Sequence, residues 1–200
     1  MQQFNYYKLK LVLNRQNNMK TESTVLYVLR LAGTLLLITA IVAAALAGVN
    51  MVTAPIIAEL NEAKTQAAIN AVLPGGGDEI AFTDDTGLVT KVYKSATGYA
   101  VQVTPAGFDG TIDMMVGIDN EGKILGISII SHTETAGLGA VAAAKTSAGE
   151  AFRGQFVGQS GAVSVSKDGG QIEAITGATI TSRAICVGIN AALDCVGGLG

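Results

Sequence analysis

The sequence predicts an α+β fold, a twisted antiparallel sheet with packed helices, preceded by one N-terminal transmembrane helix. Three observations carry that prediction. The run Leu31–Val52 contains no ionisable side chain. Four segments between Leu88 and Ser131 carry strand signals and are separated by glycines and turn residues. After Thr179, apolar residues recur at helical spacing.

Composition sets the frame. Of 200 residues, 49% are hydrophobic and only 14% charged, with a mean hydropathy of +0.42. That is too apolar for a purely soluble chain and enough for one domain plus an anchor. A net charge of −3 argues against nucleic-acid binding, which leaves a basic footprint, and without tryptophan there is little to build a base-stacking platform. His132 is the only histidine, and Cys186 and Cys195 the only cysteines, too few for a structural metal centre. Both cysteines fall in one predicted helix, about 13 Å apart along its axis and on opposite faces, so they read as small buried hydrophobes, not a disulfide.

Element by element, residues 1–30 form a basic arm: Lys8, Lys10, Arg15, Lys20 and Arg30 stand against the single acid Glu22. Met19-Lys20-Thr21 resembles a translation start, which would make the first eighteen residues a leader. Residues 31–52 would span about 33 Å as a helix, matching a hydrocarbon core of roughly 30 Å. The positive-inside rule orients the chain with the arm in the cytoplasm and residues 53–200 outside it. Ala45-Leu46-Ala47 fits a signal-peptide cleavage pattern, but the apolar run exceeds the usual core of about 7–15 residues, so a retained anchor in the cell (inner) membrane is expected.

After Pro55, the residues Ile56, Leu60, Ala63, Ala67 and Ala71 repeat as the face of an amphipathic helix, ended by Pro74-Gly75-Gly76-Gly77. Strands follow at Leu88–Lys94, Tyr99–Thr104, Thr111–Ile118 and Lys123–Ser131. Tyr99, Val101 and Val103 alternate with Ala100, Gln102 and Thr104, as in a half-buried strand. Asp119-Asn120-Glu121-Gly122 is the turn of a hairpin. Short helices are expected at Ala140–Thr146 and Glu150–Phe156, a surface turn at Lys167-Asp168-Gly169-Gly170, and a short strand at Ile172–Ile175. A final helix, Thr179–Cys195, would pack by Ile180, Ala184, Val187, Ala191 and Cys195, leaving Asn190 on the surface.

The chemistry concentrates in Glu173-Ala174-Ile175-Thr176-Gly177-Ala178-Thr179-Ile180-Thr181-Ser182. It reads as strand, glycine turn and helix start, with four hydroxyl side chains (Thr176, Thr179, Thr181 and Ser182) gathered at the turn. Gly177 permits a sharp turn and the close approach of a bulky group. The first N–H groups of the helix, at the positive end of its dipole, suit a phosphate. The residues taken alone serve a simple helix N-cap equally well.

Thr176-Gly177-Ala178-Thr179 resembles the [ST]-G-A-T motif of the FMN-binding domain found in the G subunit of the Rnf electron-transport complex and in the related C subunit of the sodium-pumping NADH:quinone reductase. A second block, Ser131-His132-Thr133-Glu134-Thr135-Ala136-Gly137-Leu138-Gly139, is similar to the family's H-x-E-T-P-G-L-G segment, and Gly107-Phe108-Asp109-Gly110 fits as well. The resemblance covers residues 26–195, and the length suits the Rnf G subunit better. It implies FMN held covalently by a phosphoester to the Thr179 hydroxyl, put there by a flavin transferase. It further implies partnership with the other membrane subunits of a complex that couples ferredoxin and NAD⁺ chemistry to Na⁺ or H⁺ export. In that reading Thr176, Gly177, Ala178, Thr181 and Ser182 frame the attachment turn. Gly137 and Gly139 bring backbone against the isoalloxazine edge, Leu138 covers its face, and Glu134 and Thr135 hydrogen-bond to the flavin or to the Thr179 turn. Glu173 stands where the family has Asp, and Ala136 where it has Pro. Lys145 is a candidate for neutralising the phosphate, and His132 for a surface or core role.

No nucleophile–base pair is visible, and no Gly-rich dinucleotide loop follows a strand. The expected role is therefore an electron relay, with a flavin supplying the redox chemistry. Two other readings remain open: a free-standing anchored flavoprotein reductase, and a non-enzymatic anchored binding or assembly module in which the threonine turn is only a cap.

Overall fold

The computed structural model describes the backbone of residues 2–199 and the side chains of residues 10, 11 and 24–199. The side chains of Lys8, Arg15 and Lys20, and with them the Met19-Lys20-Thr21 start, lie outside the described residues. The chain divides into two units, Met1–Ala58 and Glu59–Gly200.

In the first unit every described residue is helical, within helix α1 (Gln2–Val72). The apolar side chains of residues 31–52 are exposed, Leu36 by 70% and Met51 by 80%, as expected of a helix whose surface lipid or neighbouring membrane helices cover. The two hydroxyls of this run are satisfied internally: Thr34 and Thr39 donate to Leu31 O at 2.8 Å and Leu35 O at 3.0 Å. Pro55 lies inside the helix without ending it.

The second unit is a five-stranded antiparallel meander in the order β1 (Asp78–Ile80), β2 (Val89–Lys94), β3 (Gly98–Val103), β4 (Ile112–Asp119) and β5 (Ile124–His132). β2 to β5 match the predicted strands, whereas the three-residue β1 is too short to leave a pattern. The expected hairpin turn joins β4 to β5, with Asp119 Oδ1 accepting from the N–H groups of Glu121 and Lys123, both at 2.8 Å.

Tyr99, Val101 and Val103 point into the main core, as their alternation requires, alongside Met114 and Val116 of β4. The opposite face is also covered, so β3 is buried on both sides. There the end of α1, through Ala68, Ile69 and Val72, with Leu73 just beyond it, packs on Tyr93, Ala100 and Met115. This corrects the predicted amphipathic face, since Ile56, Leu60, Ala67 and Ala71 are exposed. Small sheet residues make the close packing possible: a Cβ on Gly117 would lie 2.4 Å from Val72 O.

On the main-core side lie α2 (Ser147–Gly154) and α3 (Thr179–Gly197). α2 starts three residues earlier than expected because the Thr146 hydroxyl caps it, accepting from Gly149 N–H at 3.3 Å. The helix expected at Ala140–Thr146 is a four-residue 3-10 turn, Gly139–Ala142. The strand expected at Ile172–Ile175 does not form. A single bridge joins Val165 to Ile172, and beyond it the Gln155 side chain takes the ladder's place, bonding Glu173 N–H at 2.7 Å and Glu173 O at 3.1 Å.

The packing face of α3 also differs from the predicted one. Ala184, Ala191 and Cys195 are buried as expected, but Ile180 and Val187 are about half exposed, and Ile185 and Ile189 fill the core. Asn190 is not a free surface residue: its amide brackets the Val163 backbone, accepting at 2.8 Å and donating at 3.0 Å. Both cysteines are free and buried. Burial, with the charge of Asp168 adding, pushes the Cys186 thiol up to about 11.

Candidate functional site

The turn before α3 is built as its residue types require. Ala178 N–H donates to Ile175 O at 2.9 Å, and Gly177 occupies the third position with φ of 77°, a conformation open to glycine. The Ser182 hydroxyl locks this turn from below, accepting from Ile175 N–H and donating to Ala178 O, both at 3.0 Å. Ser182 is fully buried and so belongs to the scaffold. The first bond of the α3 ladder is Ser182 N–H to Ala178 O. The N–H groups of Thr179, Ile180 and Thr181 precede it, and no side chain caps this end.

Two further segments converge here. Glu134, in the loop after β5, is 7% exposed. Its Oε1 accepts from Phe108 N–H at 2.7 Å and Asp109 N–H at 3.3 Å, and its Oε2 accepts from the Thr181 hydroxyl at 2.5 Å. The carboxylate thus joins the Gly107–Gly110 loop, the Thr133–Gly139 loop and the first turn of α3. Two glycines make room for it: a Cβ would lie 2.2 Å from Oε1 at Gly107 and 2.3 Å from Oε2 at Gly139. The Thr133 hydroxyl adds a bond to Asp109 O at 2.8 Å.

These segments enclose a cavity of about 360 Å³. Glu134, Thr135, Leu138 and Gly139 line it from one side, and Gly177, Ala178, Thr179 and Thr181 from the other. Eight of the eleven expected site residues are therefore gathered at one place. Ser182 lies beneath it, and Thr176 and Gly137 are exposed outside the lining. Lys145 and His132 do not line it either; His132 Nδ1 is buried with no hydrogen-bond partner.

Three lining residues are not among those the sequence marks for the site: Phe108, Lys167 and Ile180. Phe108 sits in a block whose resemblance is visible, and its 66% exposure leaves the ring free at the cavity mouth. Helical spacing assigns Ile180 to the core instead. Lys167 lies in what reads as a surface turn, yet its Nζ donates to Thr179 Oγ1 at 3.2 Å. That turn is tied down by Arg183, whose Nε and Nη2 reach the two carboxylate oxygens of Asp168, each at 2.6 Å. The Arg183 guanidinium holds the Asp168 carboxyl below the usual carboxylate range.

Chemically, the site combines apolar walls (Phe108, Leu138, Ile180) with a cationic, N–H-rich corner at Thr179. Such a cavity fits an amphipathic ligand with a flat ring at one end and an anion at the other. Among the described residues no group of three or more His, Cys, Asp or Glu side chains could hold a metal ion.

Residues 107–194 match the family model of the FMN-binding domain, a span that contains every residue lining the cavity. The chain is 33% identical over 176 residues to the G subunit of the ion-translocating oxidoreductase complex of Methanosarcina acetivorans, covering 82% of this chain and 91% of that one. It is 33% identical to the G subunit of the Na(+)-translocating ferredoxin:NAD(+) oxidoreductase complex of Acetobacterium woodii, over 84% of this chain and 90% of that one. It is also 40% identical over 100 residues to the G subunit of the proton-translocating ferredoxin:NAD(+) oxidoreductase complex of Clostridium ljungdahlii, over 48% and 51% of the two chains.

Proposed function

This chain belongs to the family of G subunits of ion-translocating oxidoreductase complexes, and we propose that it is the electron-relay member of such a complex, carrying FMN as a phosphoester on Thr179 Oγ1. FMN, when bound, supplies the electron transfer; the protein supplies attachment and placement. The observation that carries the choice of Thr179 is the state of the four hydroxyls at the turn. Ser182 is buried and engaged on both sides, Thr181 is 2% exposed and commits its proton to Glu134, and Thr176 lies outside the cavity. Thr179 alone of the four both lines the cavity and is partly open to solvent, at a helix start whose N–H groups suit a phosphate.

In this reading Phe108, Leu138 and Ile180 supply apolar surface for the ring system, and Gly177 leaves space beside it, since a Cβ there would come within 3.0 Å of Leu138 Cδ2. Glu134 holds the two walls together. Residues 1–30 form a cytoplasmic arm, 31–52 the membrane span and 53–200 an extracytoplasmic FMN-binding domain, a topology supported by the basic residues ahead of the apolar run. A flavin transferase makes the ester, and the other membrane subunits of the complex pass electrons to and from the flavin.

The test is a denaturing gel of the full chain produced with its flavin transferase and viewed under ultraviolet light. A fluorescent band is expected for wild type and for Thr181→Ala that retains its fold, and none for Thr179→Ala. Loss of the band in Thr181→Ala with retention in Thr179→Ala would move the ester to Thr181. Copurification of the labelled chain with other membrane subunits separates the relay from a free-standing reductase.

A further inference from the structure

The turn that carries Lys167 is built with more care than a surface lysine needs. It is a three-residue 3-10 turn, Ser166–Asp168, closed by Gly169 with φ of 86°. Ser166 N–H donates to Ile172 O at 2.8 Å and Gly170 N–H to Val165 O at 3.1 Å. Gly170 packs so closely that a Cβ would lie 2.0 Å from Ser164 O. Arg183, one helical turn beyond Thr179 on α3, grips Asp168 with two parallel bonds of 2.6 Å. The helix that offers the hydroxyl therefore also fixes the neighbouring turn, and that turn delivers a cation to the hydroxyl, with Lys167 Nζ 3.2 Å from Thr179 Oγ1.

Resting on the assignment of the flavin ester to Thr179, we infer that Lys167 is the cationic partner of the ester phosphate, and that the Asp168–Arg183 pair is the brace that positions it. A phosphodiester on Thr179 carries one negative charge beside the uncapped start of α3. Helix N–H groups supply only partial positive charge, so a full cation at this corner balances the anion. The Lys167 ammonium donates to a non-bridging phosphate oxygen while its stem lies along the cavity wall. Arg183 balances the Asp168 charge and bonds both of its oxygens, which weakens the pull of that carboxylate on the ammonium. If the brace is broken, a free carboxylate is left next to a lysine that must face a phosphate. Lys167 is thus a binding residue, and Asp168 and Arg183 are positioning residues.

The test follows labelling of the full chain by its transferase with time, by intact mass, together with the ³¹P spectrum of the folded, labelled protein. Lys167→Met should slow labelling by at least about tenfold, the scale of a lost charge-assisted hydrogen bond, and should shift the ³¹P resonance. Lys167→Arg should recover most of the rate. Asp168→Arg and Arg183→Asp should each impair labelling and shift the ³¹P resonance of whatever labelled, folded protein forms, and the double exchange Asp168→Arg/Arg183→Asp should restore both; the ³¹P shift is the readout that a role confined to general stability would not move. A Lys167→Met protein that labels at the wild-type rate with an unmoved ³¹P signal overturns the inference and leaves the flavin ester standing. Absence of label in wild type removes the ester itself.

Discussion

Replacing Glu134 by alanine should destabilise the unit Glu59–Gly200 by about 3–4 kcal/mol, the low end of what three buried donors left without an acceptor cost at about 1–3 kcal/mol each. The carboxylate is 7% exposed and accepts from three donors on two different segments. Phe108 N–H and Asp109 N–H lie near the open mouth, where water entering the vacated space recovers part of their loss. The Thr181 hydroxyl, 2% exposed, has no such recourse. Glu134→Gln keeps the volume: its amide oxygen accepts from the two backbone N–H groups, and its amine faces Thr181 Oγ1, which turns from donor to acceptor. That variant should lose about 1 kcal/mol. Gly139→Ala attacks the same seat from outside, since the new Cβ would lie 2.3 Å from Glu134 Oε2 and 2.6 Å from Thr181 Oγ1, and should cost about 1–3 kcal/mol. Urea unfolding of the purified full chain in detergent measures all three. If Glu134→Ala stays within about 0.5 kcal/mol of wild type, the range of ordinary surface substitutions, the carboxylate does not join the segments and the account of the site walls is wrong.

On α3, Ile189→Asp should destabilise by about 4 kcal/mol or more, because it buries a charge with no partner, whereas Val187→Asp, at a site 52% exposed, should be nearly neutral; equal effects in the same unfolding assay would contradict the observed helix face. The Cys186 thiol, raised to about 11, should resist alkylation at pH 8 in the folded chain and react on unfolding. Because the folded thiol holds its proton to higher pH than the unfolded one, stability should fall as pH rises from about 9 towards 11, and a Cys186→Ala variant should lose that part of the slope. Protease added to intact spheroplasts should digest the domain after residue 52, and protection until lysis would reverse the orientation.

Much of this was legible because it rests on local pattern. The alternation through Tyr99–Val103 and the Asp119–Gly122 turn placed strands β2 to β5 within a residue or two, and the Thr-Gly-Ala-Thr and His-x-Glu-Thr blocks marked two walls of the cavity. Helix faces were harder to read. Spacing put Ile180 and Val187 on one packing face with Ala184, Ala191 and Cys195, but α3 meets the sheet closely at Gly188. At Gly188 a Cβ would meet Pro105 Cγ at 2.8 Å and Met114 Cε at 3.0 Å, so the close contact selects glycine there, with Ile185 and Ile189 filling the core beside it while Ile180 and Val187 turn outward. The end of α1 repeats the lesson at Gly117. Lys167 was hidden for another reason: twelve residues separate it from Thr179, and local pattern does not show the Arg183–Asp168 pair that helps bring them together. Ser182 resembled its neighbouring hydroxyls in sequence, but its burial assigns it to the turn.

Mass analysis of the tryptic peptide Asp168–Arg183 from protein purified out of its native membrane tests the central claim most directly. Cleavage after Lys167 and Arg183 isolates all four hydroxyls of the turn in one peptide. The expected result is a gain equal to FMN less one water, with fragmentation placing the whole gain on Thr179. An unmodified peptide from a preparation shown to be fully assembled, or a gain located on Thr176, Thr181 or Ser182, would contradict it.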